Sequence, residues 1–193
     1  AEVAAWSGSV RRIASAPRLV LPLVAVAGTV LMLGLGVFRV IAVLPGVCAG
    51  FLWITAERPE VLISSDGRTV GVVGPEGRAF NSARRNRFVM KLWLENDGKK
   101  PVPPREMPEQ DRLRTKSGEI VAVVTKDQGF RCAKHALAIY IKTPAPQLDC
   151  VTLGQSAFEA FGAHALYRTE TGWKIITVSE TTGQRRWSQS KSF

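Results

Sequence analysis

The sequence predicts an α+β protein, a transmembrane helical hairpin followed by a small mixed β domain. Three observations predict it. Leu19–Thr55 is a stretch of 37 residues with one charge, Arg39. After it, Asp66-Gly67, Ser117-Gly118 and Thr171-Gly172 each separate two short runs of strand-forming residues, as hairpin turns do. Between the first two of these turns, SARRNRFVMKLWLENDG repeats its apolar residues at helical spacing.

The apolar stretch comes first in the chain. Arg39 divides it into runs of 20 and 16 residues, 19–38 and 40–55. About 20 apolar residues span a hydrocarbon core as a helix, and about 17 is the lower limit. The first run is therefore long enough to cross, and the second sits at the margin. Pro22 falls in the first turn of the first span, where a missing N–H costs little. Pro45-Gly46 is expected to kink or interrupt the second run, and Gly46-x-x-x-Gly50 matches the small-residue spacing of close helix packing. A signal peptide is the less favoured reading, because its apolar core would be about 7–15 residues and this region is far longer.

Residues 1–18 form a basic lead-in, with Arg11, Arg12 and Arg18 as interfacial anchors. Its start at Ala-Glu suggests a fragment of a longer membrane protein. The same arginines favour a cytoplasmic N-terminal side. If both runs cross, the polar domain returns to that side, and if only the first crosses, it ends on the other.

The domain at 57–187 is expected to be soluble, followed by a frayed tail at 188–193. Residues 57–193 carry 22 Lys/Arg against 15 Asp/Glu, a net charge of +7. Such an excess fits ordinary solubility, nucleic acid or anionic headgroups. Strands are expected at Val61–Ser65 and Thr69–Val73, with a second turn at Gly74–Gly77. The helix that follows is expected to start at a Ser82 cap, pack through Phe88, Val89, Leu92 and Trp93, and stop at Gly98. The four prolines of KKPVPPREMPEQ make an exposed loop. Arg112–Thr115 and Glu119–Val124 read as a hairpin, Ala136–Ile141 as a buried strand and Asp149–Leu153 as a short strand. Gln155–Phe161 reads as a short helix, and His164–Arg168 with Lys174–Val178 as the last hairpin. Phe130–Lys134 is ambiguous.

Motifs for chemistry are few. His135 and His164 are 29 apart and belong to no metal-ligand spacing. No nucleophile elbow, phosphate loop or dinucleotide fingerprint occurs. Ser64-Ser65-Asp66 is better explained as a turn than as a nucleophile. No catalytic residue, metal or cofactor is assigned. Cys132 and Cys150 make either a disulfide or two buried thiols, and Cys48 sits in the second apolar run. The cluster Arg84, Arg85, Arg87 and Lys91 is either a solvated basic face or a phosphate contact, since clustered guanidiniums neutralise neighbouring phosphates.

Taken together, the apolar pair, PEVLISSDGRTVGVVGPEGRAF, the helix with FVMKLWLENDG, and GAHALYRTETGWKIITVSETTGQRRW resemble the C-terminal part of ComEC-family competence proteins, over residues 17–187. Cys132 and Cys150 also sit where cysteines are expected in the shorter, alphaproteobacterial form. The resemblance implies a multi-pass bacterial inner-membrane protein that moves single-stranded DNA. Its partners would be membrane lipid and an upstream transmembrane channel of the same polypeptide. Many members end in a metallo-β-lactamase-like domain with a His-x-His-x-Asp-His metal cluster. That cluster is missing here, so the expectation is a degenerate, non-catalytic relative of that fold. The alternative is a membrane-anchored structural or assembly module without a nucleic-acid role.

Overall fold

A computed structural model describes residues 14–34, 36–82, 84–100, 111–125, 136–142, 144–146 and 149–183. The chain forms two units, one holding residues up to Arg58 with Glu95–Lys99, the other holding Pro59–Leu94 and the chain from Lys100 on. The lead-in before Ala14, most of the proline-rich loop, Phe130–Lys134, His135, Cys132 and the tail lie outside the described residues.

The first unit is a helical hairpin. Helix α1 runs Val20–Leu33, α2 Val37–Ile41 and α3 Val43–Ile54. The continuous span expected at 19–38 is not formed. Gly34 is extended, with φ −73° and ψ 141°, and Gly36 takes φ +57°, a conformation that glycine adopts without a Cβ penalty. With 14 residues, α1 is about 21 Å long at 1.5 Å per residue. A hydrocarbon core is about 30 Å thick. Among the described residues, no helix is long and apolar enough to cross a membrane.

The break expected at Pro45-Gly46 also lies elsewhere. Pro45 sits in the first turn of α3, where no intrahelical donor is lost, and the interruption is at Ala42. The helices pair through small residues. A Cβ on Gly46 would stand 3.9 Å from that of Ala27, whereas Gly50 faces open space. At the open end the Trp53 indole donates to the Ala14 carbonyl at 3.0 Å, and the Ser15 amide donates to the Asn96 carbonyl at 3.1 Å. The closed end holds the single charge, where Arg39 Nε donates to the Gly34 carbonyl just past the end of α1. Most outward-facing side chains are apolar, with Met32 85% and Ile54 88% exposed, and Thr29 and Arg39 are the polar exceptions within the helices.

The second unit is α+β, with two sheets. Strands β1 (Val61–Ile63), β2 (Val70–Gly74), β3 (Gly77–Phe80), β8 (His164–Thr169) and β9 (Gly172–Thr177) form an antiparallel sheet in the order β3-β2-β1-β8-β9. Strands β4 (Arg112–Arg114), β5 (Ile120–Val124), β6 (Leu137–Tyr140) and β7 (Val151–Leu153) form a second sheet in sequence order. Here β4 is antiparallel to β5, but β5, β6 and β7 are parallel. The expected hairpins at Asp66-Gly67, Ser117-Gly118 and Thr171-Gly172 are all present.

Alternation explains how the sheets pack. Val61, Ile63, Val70 and Val72 of the first sheet share one core with Leu113, Val121, Val123, Leu137 and Ile139 of the second. The opposite face of the first sheet carries the row Leu62, Gly71, Phe80. Helix α4 (Arg87–Asn96) lies there, burying Met90 and Leu94 and stacking Trp93 on Phe80 at 6.3 Å. Gly71 makes room, since a Cβ there would be 3.1 Å from the Trp93 ring.

Helix α5 (Gln155–Phe161) drives Phe158 into the shared core. Helix α6 (Val178–Thr182), which the hairpin reading did not anticipate, starts with a capping box between Thr177 and Glu180. His164 is 3% exposed, its Nδ1 lies 2.8 Å from the Gly162 carbonyl, and its ring meets Phe158 edge-on. Burial lowers its pKa from 6.5, against the opposing effects of the Gly162 carbonyl and the Glu180 charge. The folded state therefore holds His164 neutral more strongly than the unfolded chain does. Its contribution to stability is complete above pH 6.5 and is lost as pH falls through that value towards the folded pKa. Urea midpoints measured from pH 7.5 to pH 5.5 should fall, and His164→Gln should flatten that slope; an unchanged slope would contradict the assignment.

Candidate nucleic-acid interface

The four basic candidates lie on one short segment, and each is exposed. Arg84 and Arg85 form a bend, Arg87 opens α4, and Lys91 follows one turn later on the same side. Helix α4 thus starts at Arg87, and Ser82 does not cap it. The Ser82 hydroxyl instead accepts from the Arg84 amide at 3.5 Å. The first helical bond comes from the Met90 amide to the Asn86 carbonyl at 3.0 Å, so Asn86 is the cap residue.

Asn86 fixes the bend. Its φ is +47°, a left-handed conformation in which Asn is among the better tolerated residues. Its side-chain amide donates to Asp66 Oδ2 at 3.0 Å and to Thr69 Oγ1 at 2.9 Å. Both acceptors belong to the β1–β2 turn. There the Ser64 hydroxyl donates to Asp66 Oδ1, which also accepts from the Arg68 amide at 3.1 Å. Ser64 Oγ accepts from the Thr69 amide at 3.0 Å. The Ser64–Asp66 pair is therefore a turn lock, with its proton and lone pairs engaged. Burial raises the Asp66 pKa, but bonds from Ser64, Asn86 and the Arg68 amide outweigh it, and the net shift is downward from 3.8.

The electrostatics of the bend favour an anion. The positive end of the α4 dipole coincides with three guanidiniums, and the first turn holds no acid. The nearby carboxylate, Asp66, is already occupied by Asn86 and Arg68. Asn86→Ala should lower stability by about 1–2 kcal/mol, combining lost hydrogen bonds with a strained φ. Asn86→Gly relieves the strain but not the lost bonds and should cost less; equal costs in chemical denaturation would contradict this account.

The remaining sequence candidates fare differently. Cys150 is disulfide-bonded and Cys48 is a free, exposed thiol, while Cys132 lies outside the described residues. Among the described residues, no three His, Cys, Asp or Glu side chains are grouped to hold a metal. The role of Asn86 was hidden in the sequence because its partners lie 17 and 20 residues away. Phe88 and Leu92, expected to be packing residues, are 77% and 44% exposed. Searches with protein-family models, of curated proteins and of solved structures found no match.

Proposed function

We propose that this chain is the C-terminal part of a ComEC-like DNA-uptake protein of a bacterial inner membrane. Its α+β domain would be a non-catalytic, degenerate metallo-β-lactamase relative that contacts single-stranded DNA. The observation that carries the DNA-contact reading is the exposed Arg84, Arg85 and Arg87 on a bend tied by Asn86 to the β1–β2 turn. Guanidiniums clustered on one bend can neutralise successive phosphates and release their counterions. The non-catalytic part rests on the missing His-x-His-x-Asp-His cluster in the sequence.

Membrane lipid is the proposed partner of the α1–α3 hairpin, on the strength of its apolar outward side chains. An upstream channel of the same polypeptide would supply the rest of the translocator. The Trp53–Ala14 bond brings both chain ends of the hairpin together. On this reading the hairpin enters and leaves from one face of the bilayer.

The test is charge reversal of Arg84, Arg85, Arg87 and Lys91 together in a transformable host. Lost DNA uptake at a normal protein level supports the proposal. Loss of the protein itself would instead favour a structural module.

A further inference from the structure

We infer that Phe88 is a base-stacking platform, so that the basic bend and α4 grip single-stranded nucleic acid through bases as well as phosphates. This rests on the DNA-contact reading above. The inference starts from which sides of α4 are covered. Successive residues of a helix turn by about 100°. Met90 and Leu94 form the buried edge, with Val89 and Trp93 half-buried beside it. The uncovered arc begins with Arg87 and Lys91 and continues about 100° further round with Phe88 and Leu92. At the first turn the cation Arg87 and the ring of Phe88 are neighbours with no acid between them, while the exposed Glu95 enters the gap between the two stripes two turns later.

Phe88 is the residue that needs an occupant. Its ring is 77% exposed although the same helix buries other apolar side chains well. A single exposed apolar residue is ordinary. Here it is an aromatic ring four residues after Arg84 in the chain, next to Arg87, with half-exposed Leu92 one turn along the helix. Cations that follow a backbone, interleaved with an aromatic face for unstacked bases, are the arrangement that binds single strands with little sequence preference. A duplex keeps its base faces stacked and offers Phe88 nothing to cover. Charge complementarity thus points to a polyanion, and the ring points to one with open bases.

The experiment uses the full chain in lipid nanodiscs and two labelled probes. One is a 15-mer of thymidine nucleotides, the other an abasic strand of equal length that keeps only the phosphates. Phe88→Ala should weaken binding of the thymidine strand by about tenfold, and Phe88→Trp should restore it. Binding of the abasic strand should not change. Because the ring is exposed, neither substitution should alter the unfolding midpoint.

If Phe88→Ala leaves thymidine binding intact while arginine reversal weakens it, stacking is overturned and the phosphate interface stands. If the unsubstituted chain binds neither probe at low salt, the DNA-contact reading falls and stacking with it. An effect of Phe88→Ala confined to retention of anionic lipid assigns the ring to the membrane surface and also overturns the inference.

Discussion

Changing Arg84, Arg85 and Arg87 together to glutamate is expected to weaken single-strand binding on the order of a hundredfold at low salt. Each phosphate contact on a single strand contributes about 0.7 to the slope of log K against log salt, so losing three should flatten it by about 2. Folding should survive, because all three side chains are exposed and the Asn86 amide, not an arginine, ties the bend to Asp66 and Thr69. Reversal adds repulsion where the peptide dipole alone would still attract an anion. Lysine at the same positions should retain most of the affinity, since phosphate neutralisation needs the charge more than the fork. Fluorescence anisotropy at several salt concentrations reads both quantities. An unchanged slope would mean that these arginines touch no phosphate.

Phe158→Ala should be the most damaging single substitution in the β domain, costing about 3–5 kcal/mol. Phe158 is 1% exposed and packs in the core that both sheets share. It also organises its surroundings. The His164 ring meets it edge-on at 5.3 Å, and Gly67 of the β1–β2 turn lies so close that a Cβ would stand 2.3 Å from the ring. Gly67 further needs its φ of +66°. Truncation therefore leaves a cavity under the turn whose Asp66 anchors Asn86. Urea unfolding of the variant should show the loss in the midpoint, and strand binding should weaken with it. A cost under about 1 kcal/mol would show that the site collapses to fill the space.

The parts of this architecture that rest on local chemistry were legible in the sequence. Asp66-Gly67, Ser117-Gly118 and Thr171-Gly172 each turn between paired antiparallel strands, and α5 occupies the expected Gln155–Phe161. Features set by distant partners were not legible. Most residues of α4 from Phe88 to Leu94 are apolar, so periodicity does not decide which edge is covered. The sheet's Phe80 and Gly71 decide it, by accepting Trp93 and leaving Phe88 outside. Parallel pairing of β5, β6 and β7 joins strands whose order no turn motif records. The hairpin break has a local cause that hydropathy averages over, the positive φ of Gly36 within an apolar run. Of the candidate interface, the arginines could be read from their clustering, whereas the Asn86 that anchors their bend and the exposure of Phe88 could not.

The most direct test of the DNA-contact claim is equilibrium binding of a labelled single strand to the full chain across a salt series. The proposal expects measurable affinity at about 50 mM salt, falling steeply and linearly on logarithmic axes, with a slope of about −2 or steeper from three or more phosphate contacts. No binding at that salt, or binding indifferent to salt, would contradict it.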